Sequence, residues 1–313
     1  MTPFAFVFPG QGSQAVGLLD AWGDHPAVRA TLDEASQALG EDIARLIAAG
    51  PKDQLDLTTN TQPVMLTAAI ACHRAWCAEG GAQPAAVAGH SLGEYSALVV
   101  AGALTLADAL SLVRFRAQAM QEAVPVGVGA MAAILGLDAA AVVDGCAKAA
   151  AESGEVVDAA NFNDLKQTVI AGSKAGVERA CEVLKAMGAK RALLLPVSAP
   201  FHSSLMKPAA ERLRERLASV AIATPAVAVI NNIDVAAAAD PAAIRDALYR
   251  QAFGPVRWVE VVRALRARGL MHIIECGPGK VLAGLVKRID GELTSATVWD
   301  PASLHEAKAL LAS

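Results

Sequence analysis

Residues 87–95 read Val-Ala-Gly-His-Ser-Leu-Gly-Glu-Tyr, and Gly89-His90-Ser91-Leu92-Gly93 within them fits the pattern Gly-x-Ser-x-Gly. Such a pentapeptide turns sharply from a strand into a helix and leaves the serine hydroxyl exposed on a strained backbone. Glycines on either side let neighbouring segments come close without a Cβ clash. The flanks suit that context, because residues 85–88 form a short apolar run and residues 95–101 continue as an apolar helix. Ser91 is therefore a candidate nucleophile at the junction of a buried strand and a helix.

The rest of the chain builds a fold around that junction. An aromatic run at residues 4–8 stops at Pro9-Gly10-Gln11-Gly12-Ser13-Gln14. A glycine loop between strand and helix offers backbone N–H groups to a phosphate or an oxyanion. It lacks both the Gly-Lys-Ser/Thr ending of a Walker A loop and the third glycine of a dinucleotide fingerprint. Helices are predicted at 27–39 and 43–49. Another is predicted at 64–79, with Pro63 near its first position. Thr105-Leu106-Ala107-Asp108 makes a capping box for a helix to about residue 123, whose buried stripe is Leu106, Leu110, Val113, Ala117 and Met120. Arg114 and Arg116 lie at opposite edges of that stripe, each ~80° from its centre. Periodicity does not choose between them, and a solvated or snorkelling side chain is the plainer reading of both.

Residues 131–197 then alternate as strand, helix, strand, strand, helix, strand, the βαββαβ order of a ferredoxin-like unit. Residues 124–127 and 198–200 bracket the unit as hinges. Beyond it come helices at 206–220, 242–251, 259–268 and 281–289, and strands at 227–231 and 271–275. This alternation predicts a mostly parallel sheet covered on both faces. The predicted organisation is a large catalytic α/β domain from residues 1–126 and 199–313, with a small subdomain inserted at 127–198. A chain of 313 residues is long enough for that arrangement.

Composition narrows the function. Apolar residues make up 54% and charged residues 19%, which fits a compact soluble protein, and a net charge of −4 argues against a general nucleic-acid binder. Cys72, Cys77, Cys146, Cys181 and Cys276 form neither a disulfide framework nor a metal knuckle, so buried free thiols in a reducing compartment are expected. The N-terminus lacks a basic region before its apolar run, and the apolar stretch 95–113 is broken by Gly102 and Asp108. No membrane span and a cytoplasmic location are expected.

A serine at its free pKa needs a positioned base. Among six histidines, His90 adjoins the serine but should point away across the turn, and His272 reads as a hydrogen-bonded core residue. His202 ends Val197-Ser198-Ala199-Pro200-Phe201-His202, a strand end followed by a proline-ordered loop, where catalytic side chains collect in α/β sheets. Base and structural or capping residue both remain open for it on spacing alone.

Taken together, Phe6-Val7-Phe8-Pro9-Gly10-Gln11-Gly12-Ser13-Gln14, Gly89-His90-Ser91-Leu92-Gly93-Glu94-Tyr95 and Ser198-Ala199-Pro200-Phe201-His202-Ser203 resemble the malonyl-CoA:acyl carrier protein transacylase family. Thr61-Gln62-Pro63, Phe115-Arg116 with Met120-Gln121-Glu122-Ala123, and residues 274–282 (Ile-Glu-Cys-Gly-Pro-Gly-Lys-Val-Leu) fit it too. The six motifs are co-linear with the family's, in its free-standing bacterial form, which is related to the acyltransferase domains of fatty acid and polyketide synthases. The resemblance implies an α/β-hydrolase-like large domain plus a ferredoxin-like subdomain. It also implies transfer of malonyl from malonyl-CoA to the phosphopantetheine thiol of acidic holo-acyl carrier protein, supplying extender units for fatty acid biosynthesis.

By the same resemblance Ser91 would carry the malonyl ester and His202 would act as base and then acid. The backbone N–H groups of Gln11 and Leu92 would form the oxyanion hole. The carbonyl of Gln251 would orient His202 in place of a carboxylate, giving a Ser–His dyad. Arg116 would hold the malonyl carboxylate, which breaks the tie with Arg114. Gln62, Met131 and Phe201 would line the acyl pocket, Phe201 matching the malonyl rather than the methylmalonyl pattern. Two departures stand out: Asp164-Leu165 replaces a small residue–proline pair, and Gly254 replaces an asparagine before Pro255-Val256. Lys280, Lys287 and Arg288, with Lys166, Lys190 and Arg191 in the small subdomain, are candidates for docking an acidic carrier. Neither a metal nor a redox cofactor is implied, nor a nucleic-acid or membrane partner, and a monomer is expected. The elbow alone also suits a serine thioesterase or esterase, and a non-catalytic carrier-binding scaffold would share the fold.

Overall fold

A computed structural model describes residues 2–125 and 127–312. Of the predicted hinge 124–127, Val126 lies outside the described residues. The chain opens with β1 (Phe4–Phe8), followed by α1 (Pro26–Leu39), α2 (Ile43–Ala49), α3 (Lys52–Leu55) and α4 (Thr58–Ala78). Next come β2 (Ala86–Gly89), α5 (Gly93–Val100) and α6 (Leu106–Ala123). The middle of the chain holds β3 (Gly129–Leu135), α7 (Ala139–Ser153), β4 (Val157–Asp164), β5 (Gln167–Ser173), α8 (Lys174–Ala186) and β6 (Arg191–Leu194). The last third runs through α9 (Lys207–Ala218), β7 (Ala228–Ile230), α10 (Pro241–Gln251) and α11 (Trp258–Ala267). It ends with β8 (His272–Cys276), α12 (Val281–Ile289), β9 (Thr294–Val298) and α13 (Pro301–Ala312).

Two sheets result. The first is wholly parallel, in the order β7-β2-β1-β8-β9. Strand β1 lies at its centre and is buried along its whole length, as a strand covered on both faces must be. Its alternation sorts two cores. Phe4 and Phe6 stack edge-on against Trp76 of α4, while Ala5 and Val7 pack with Trp258, Val262 and Leu285 from α11 and α12. The second sheet is antiparallel, in the order β4-β5-β3-β6. Ala132, Ile134 and Ile170 face α7 and α8, whereas Met131, Ala133, Val169 and Ala171 belong to the core of the parallel sheet. One face of the antiparallel sheet thus forms a wall over the parallel one, and the functional cleft opens between them.

Several sequence expectations shift. Helix α4 begins at Thr58, six residues before the predicted start, with Pro63 inside it. Thr61 Oγ1 donates to the carbonyls of Leu55 (2.7 Å) and Leu57 (3.1 Å), stitching the first turn to α3. Burial of nearly the whole helix then outweighs the backbone bond that proline cannot make. Strand β9 and helix α13 were not predicted. The strand is half-exposed at the sheet edge and shows no alternation, and Asp300 caps the helix through the Ser303 N–H at 2.7 Å. Strand β6 ends three residues early, at Leu194. All five cysteines are free, but Cys77 is exposed rather than buried. Among the described residues no helix is long and apolar enough to cross a membrane.

Candidate active site

Strand β2 ends at Gly89 and helix α5 begins at Gly93, with Ser91 at φ 52° between them. That left-handed conformation is uncommon for a serine and stores strain at the turn. Both glycines are sterically required. A Cβ on Gly89 would lie 1.9 Å from the Gly93 carbonyl carbon, and one on Gly93 would lie 2.0 Å from the Phe8 carbonyl oxygen.

His202 stands on the loop between β6 and α9, also at positive φ (61°). Its Nε2 lies 2.7 Å from Ser91 Oγ, while Nδ1 lies 2.9 Å from the Gln251 carbonyl and 3.2 Å from that of Gly254. Two carbonyl acceptors assign the proton to Nδ1 and leave Nε2 as the lone-pair side facing the hydroxyl. The Gly254 departure therefore leaves the contact intact, with a second carbonyl joining the first. Burial, and then the nearby Arg116 cation, pushes the His202 pKa down to about 3, so the imidazole is neutral at ordinary pH.

Arg116, from α6, is buried, and its Nη1 donates to Gln62 Oε1 at 2.9 Å. Its Nη2 reaches Ser91 Oγ at 3.2 Å and Gln251 Oε1 at 3.4 Å, and Nε has no partner among the described residues. Among the described residues no carboxylate lies within ion-pair distance of it. Burial accordingly holds its pKa below the usual arginine value. Arg114 instead leaves the site and pairs with Glu41 (2.5 Å) and Asn60 (2.8 Å).

These groups border a cavity of about 200 Å³ lined by Gln11, Ser91, Arg116, Met131, Phe201 and His202. Gln11 accepts a bond from Gln62 Nε2 at 3.3 Å, so its side chain braces the arginine's partner. The backbone N–H groups of Gln11 and of Leu92, at the start of α5, have no acceptor among the described residues. The His90 ring pairs with Asn163 on β4 and not with Ser91. It lines the same cavity, with Nε2 2.8 Å from Asn163 Oδ1. His272 departs from expectation, its buried Nδ1 having no partner among the described residues.

The basic residues lie outside the cavity. Lys280, just before α12, and Lys287 on it are exposed, whereas Arg288 donates from Nε to Asp164 Oδ2 at 2.7 Å. Between β4 and β5, Lys166 lies 3.8 Å from Asp138.

Sequence reasoning overlooked two residues. Asn232, just past β7, accepts the Ser91 N–H through Oδ1 and donates from Nδ2 to the Gly89 carbonyl, both at 2.7 Å. An Asn-Asn pair at the C-terminal end of a parallel strand was a usable signal, since that edge is where sites form. Glu94 is buried on the first turn of α5, and a carboxylate opening an apolar helix was the corresponding hint.

The chain can be set beside known proteins on this geometry. The acyl transferase domain family matches residues 5–298. The malonyl CoA-acyl carrier protein transacylase of Salmonella typhimurium is 53% identical over 308 residues, covering 98% of this chain and 99% of that one. A crystal structure of an acyl-carrier-protein S-malonyltransferase from Burkholderia pseudomallei superposes with a TM-score of 0.96 at 68% identity, covering 98% of this chain and all of that one. A malonyl-transacylase solved in complex with its type II PKS acyl-carrier protein gives a TM-score of 0.96 at 47% identity, with 99% of this chain and all of that one covered. With the serine elbow, the histidine and the buried arginine converging on one cleft, and with near-complete coverage of such relatives, the chain belongs to the malonyl-CoA:acyl carrier protein transacylase family.

Proposed function

We propose that the protein moves a malonyl group from malonyl-CoA to the phosphopantetheine thiol of an acyl carrier protein through an ester on Ser91. The observation that carries this reading is the meeting of three groups at one oxygen: Ser91 Oγ lies 2.7 Å from His202 Nε2 and 3.2 Å from Arg116 Nη2. A hydrolase elbow needs the first contact alone. A buried guanidinium without a carboxylate partner supports an acyl group that brings its own carboxylate.

In the first half-reaction Ser91 Oγ attacks the thioester carbon while His202 Nε2 takes the hydroxyl proton. Negative charge develops on the carbonyl oxygen, where the free N–H groups of Gln11 and Leu92 would receive it. One such donor contributes on the order of 10²–10³ in rate, and a positioned base about 10²–10⁴. The tetrahedral species collapses by breaking the C–S bond, and His202 returns the proton to the departing CoA sulfur. The second half-reaction runs the same steps with the carrier thiol attacking and Ser91 leaving. Throughout, the Nδ1–H bonds to the Gln251 and Gly254 carbonyls keep the ring oriented and would stabilise the imidazolium. Met131 and Phe201 would border the acyl chain, while Gln62, fully buried and outside the cavity lining, acts through Arg116.

The strand order β4-β5-β3-β6 supports reading residues 127–198 as a ferredoxin-like unit inserted in an α/β-hydrolase-like domain of residues 1–126 and 199–313. Five free thiols support a cytoplasmic setting, and a dyad complete within one chain supports a monomeric working unit. Extender supply for fatty acid biosynthesis is the proposed use, with exposed Lys280 and Lys287 contributing to carrier docking.

Intact-protein mass after brief mixing with malonyl-CoA, and then with holo-carrier, tests the reading. A malonyl adduct absent from Ser91→Ala and passed to the carrier faster than it hydrolyses is the expected result. An adduct lost to water regardless of carrier would refute transfer.

A further inference from the structure

Glu94 lies within the motif that carries the nucleophile, yet the reaction above gives it no task. Its side chain is 2% exposed, buried beneath the elbow. One oxygen, Oε2, accepts the Asn232 backbone N–H at 2.9 Å and Gln251 Nε2 at 2.9 Å. Each donor leads to a reacting group. Asn232 Oδ1 holds the Ser91 N–H at 2.7 Å, and its Nδ2 holds the Gly89 carbonyl that precedes the turn. Gln251 Nε2 also reaches the Ser91 carbonyl at 3.0 Å, while the Gln251 backbone carbonyl receives the His202 Nδ1–H at 2.9 Å. At the other end of the same amide, Gln251 Oε1 accepts from Arg116 Nη2 at 3.4 Å. Three separate segments, β7, α10 and the elbow, are therefore fastened at one carboxylate oxygen.

This arrangement also fixes which way the Gln251 amide faces. With Nε2 turned to Glu94 and Ser91, Oε1 must face the Arg116 guanidinium; a flipped amide would set acceptor against acceptor at Glu94 and Ser91 and donor against donor at Arg116. A fully satisfied buried network specifies a single arrangement, and removal of one member releases the others.

We infer that Glu94 is a positioning residue of the transfer reaction: by accepting two hydrogen bonds at one oxygen it holds Ser91, His202 and Arg116 in a common register. The inference rests on the Ser91–His202 reading of the site. It requires an acceptor rather than a charge, and burial, which pushes the Glu94 pKa up to about 7, is consistent with a carboxyl that works in either protonation state. A glutamine at this position offers the same acceptor oxygen; a leucine of similar volume offers none. A misplacement of the order of 1 Å between reacting groups costs about 10²-fold in rate.

The test measures the rate constant of Ser91 malonylation and KM for malonyl-CoA, by rapid-quench mass spectrometry, in wild type, Glu94→Gln, Glu94→Leu, Asn232→Ala and Glu94→Leu/Asn232→Ala, with thermal melting of each. In Glu94→Leu the rate constant should fall about 10²-fold while KM stays within about threefold. Glu94→Gln should keep the rate within about fivefold of wild type, and the double variant should be no slower than the worse single one, as for residues acting as one unit. Should Glu94→Leu not fold, Glu94→Gln and Asn232→Ala carry the same comparison. A folded Glu94→Leu that loads at the wild-type rate would overturn the inference and leave the Ser91 reading standing. So would a Glu94→Gln rate as low as that of Asn232→Ala. Failure of the wild type to form any adduct would overturn the Ser91 reading and this inference with it.

Discussion

Replacing Arg116 with methionine keeps much of the side-chain volume and removes every donor, which makes it the sharpest test of substrate choice. The wild-type guanidinium makes bonds to Gln62, Ser91 and Gln251 and has no acid within ion-pair distance among the described residues, so a malonyl carboxylate would be its anionic partner. Breaking a buried, hydrogen-bonded ion pair by removing one member costs about 3–5 kcal/mol. At about 1.4 kcal/mol per factor of ten, kcat/KM for malonyl-CoA should fall about 10²–10⁴-fold. Acetyl-CoA presents no carboxylate and loses no such bond, so its kcat/KM should stay the same or rise, and the malonyl-to-acetyl ratio should collapse. Folding should survive. The variant leaves Gln62 Oε1 and Gln251 Oε1 without a donor, at about 1–3 kcal/mol each, but it also removes a buried cation that lacks a counter-ion. The assay is the initial rate of Ser91 acylation with each thioester, alongside a melting curve. Equal losses for malonyl-CoA and acetyl-CoA in a folded variant would refute the role, because they would mean that Arg116 serves the serine and not the substrate.

Gly93→Ala would press a methyl group against the Phe8 carbonyl at 2.0 Å, a backbone neighbour unable to rotate away, so the melting temperature and the acylation rate should both fall sharply; a variant with wild-type melting would show that the elbow is looser than this packing requires. Burial pushes the Glu275 carboxyl up to about 7, against N–H bonds from the start of α12 that act the other way. Its folded pKa thus exceeds its ordinary value of 4.5, the folded state binds the extra proton between those values, and its contribution to stability is lost as pH rises from about 4.5 through 7. The melting temperature of Glu275→Gln relative to wild type should therefore climb across that window, and a difference independent of pH would contradict it. Lys287→Glu should raise KM for carrier protein and not for malonyl-CoA. It is a cleaner probe than Arg288, whose charge is already engaged by Asp164. Equal changes in both constants would remove α12 from the docking surface.

The glycine spacing around Ser91 needed no tertiary information, because a strand-to-helix turn with close backbone approach admits few residues, and 1.9–2.0 Å Cβ clashes at Gly89 and Gly93 reflect that local demand. Strand β1 and the alternation of strands and helices were legible for the same reason: periodic apolar runs report burial directly. Other features were set by distant parts of the chain. Arg114 and Arg116 are equivalent by helical period, and only the packing of α6 sent one to Glu41 and the other to Ser91. The start of α4 ignored proline's local preference because α3 and the core hold its first turn. Strand β9 exists because the edge of β8 was free to pair, not because its own residues alternate. Most of all, the bonds that hold the dyad come from Asn232 and Gln251, 141 and 160 residues beyond the serine. The sequence by itself determined which groups were chemically able to react. Their common register was decided only by the tertiary structure, because a hydrogen bond depends on distance in space and carries no trace along the chain.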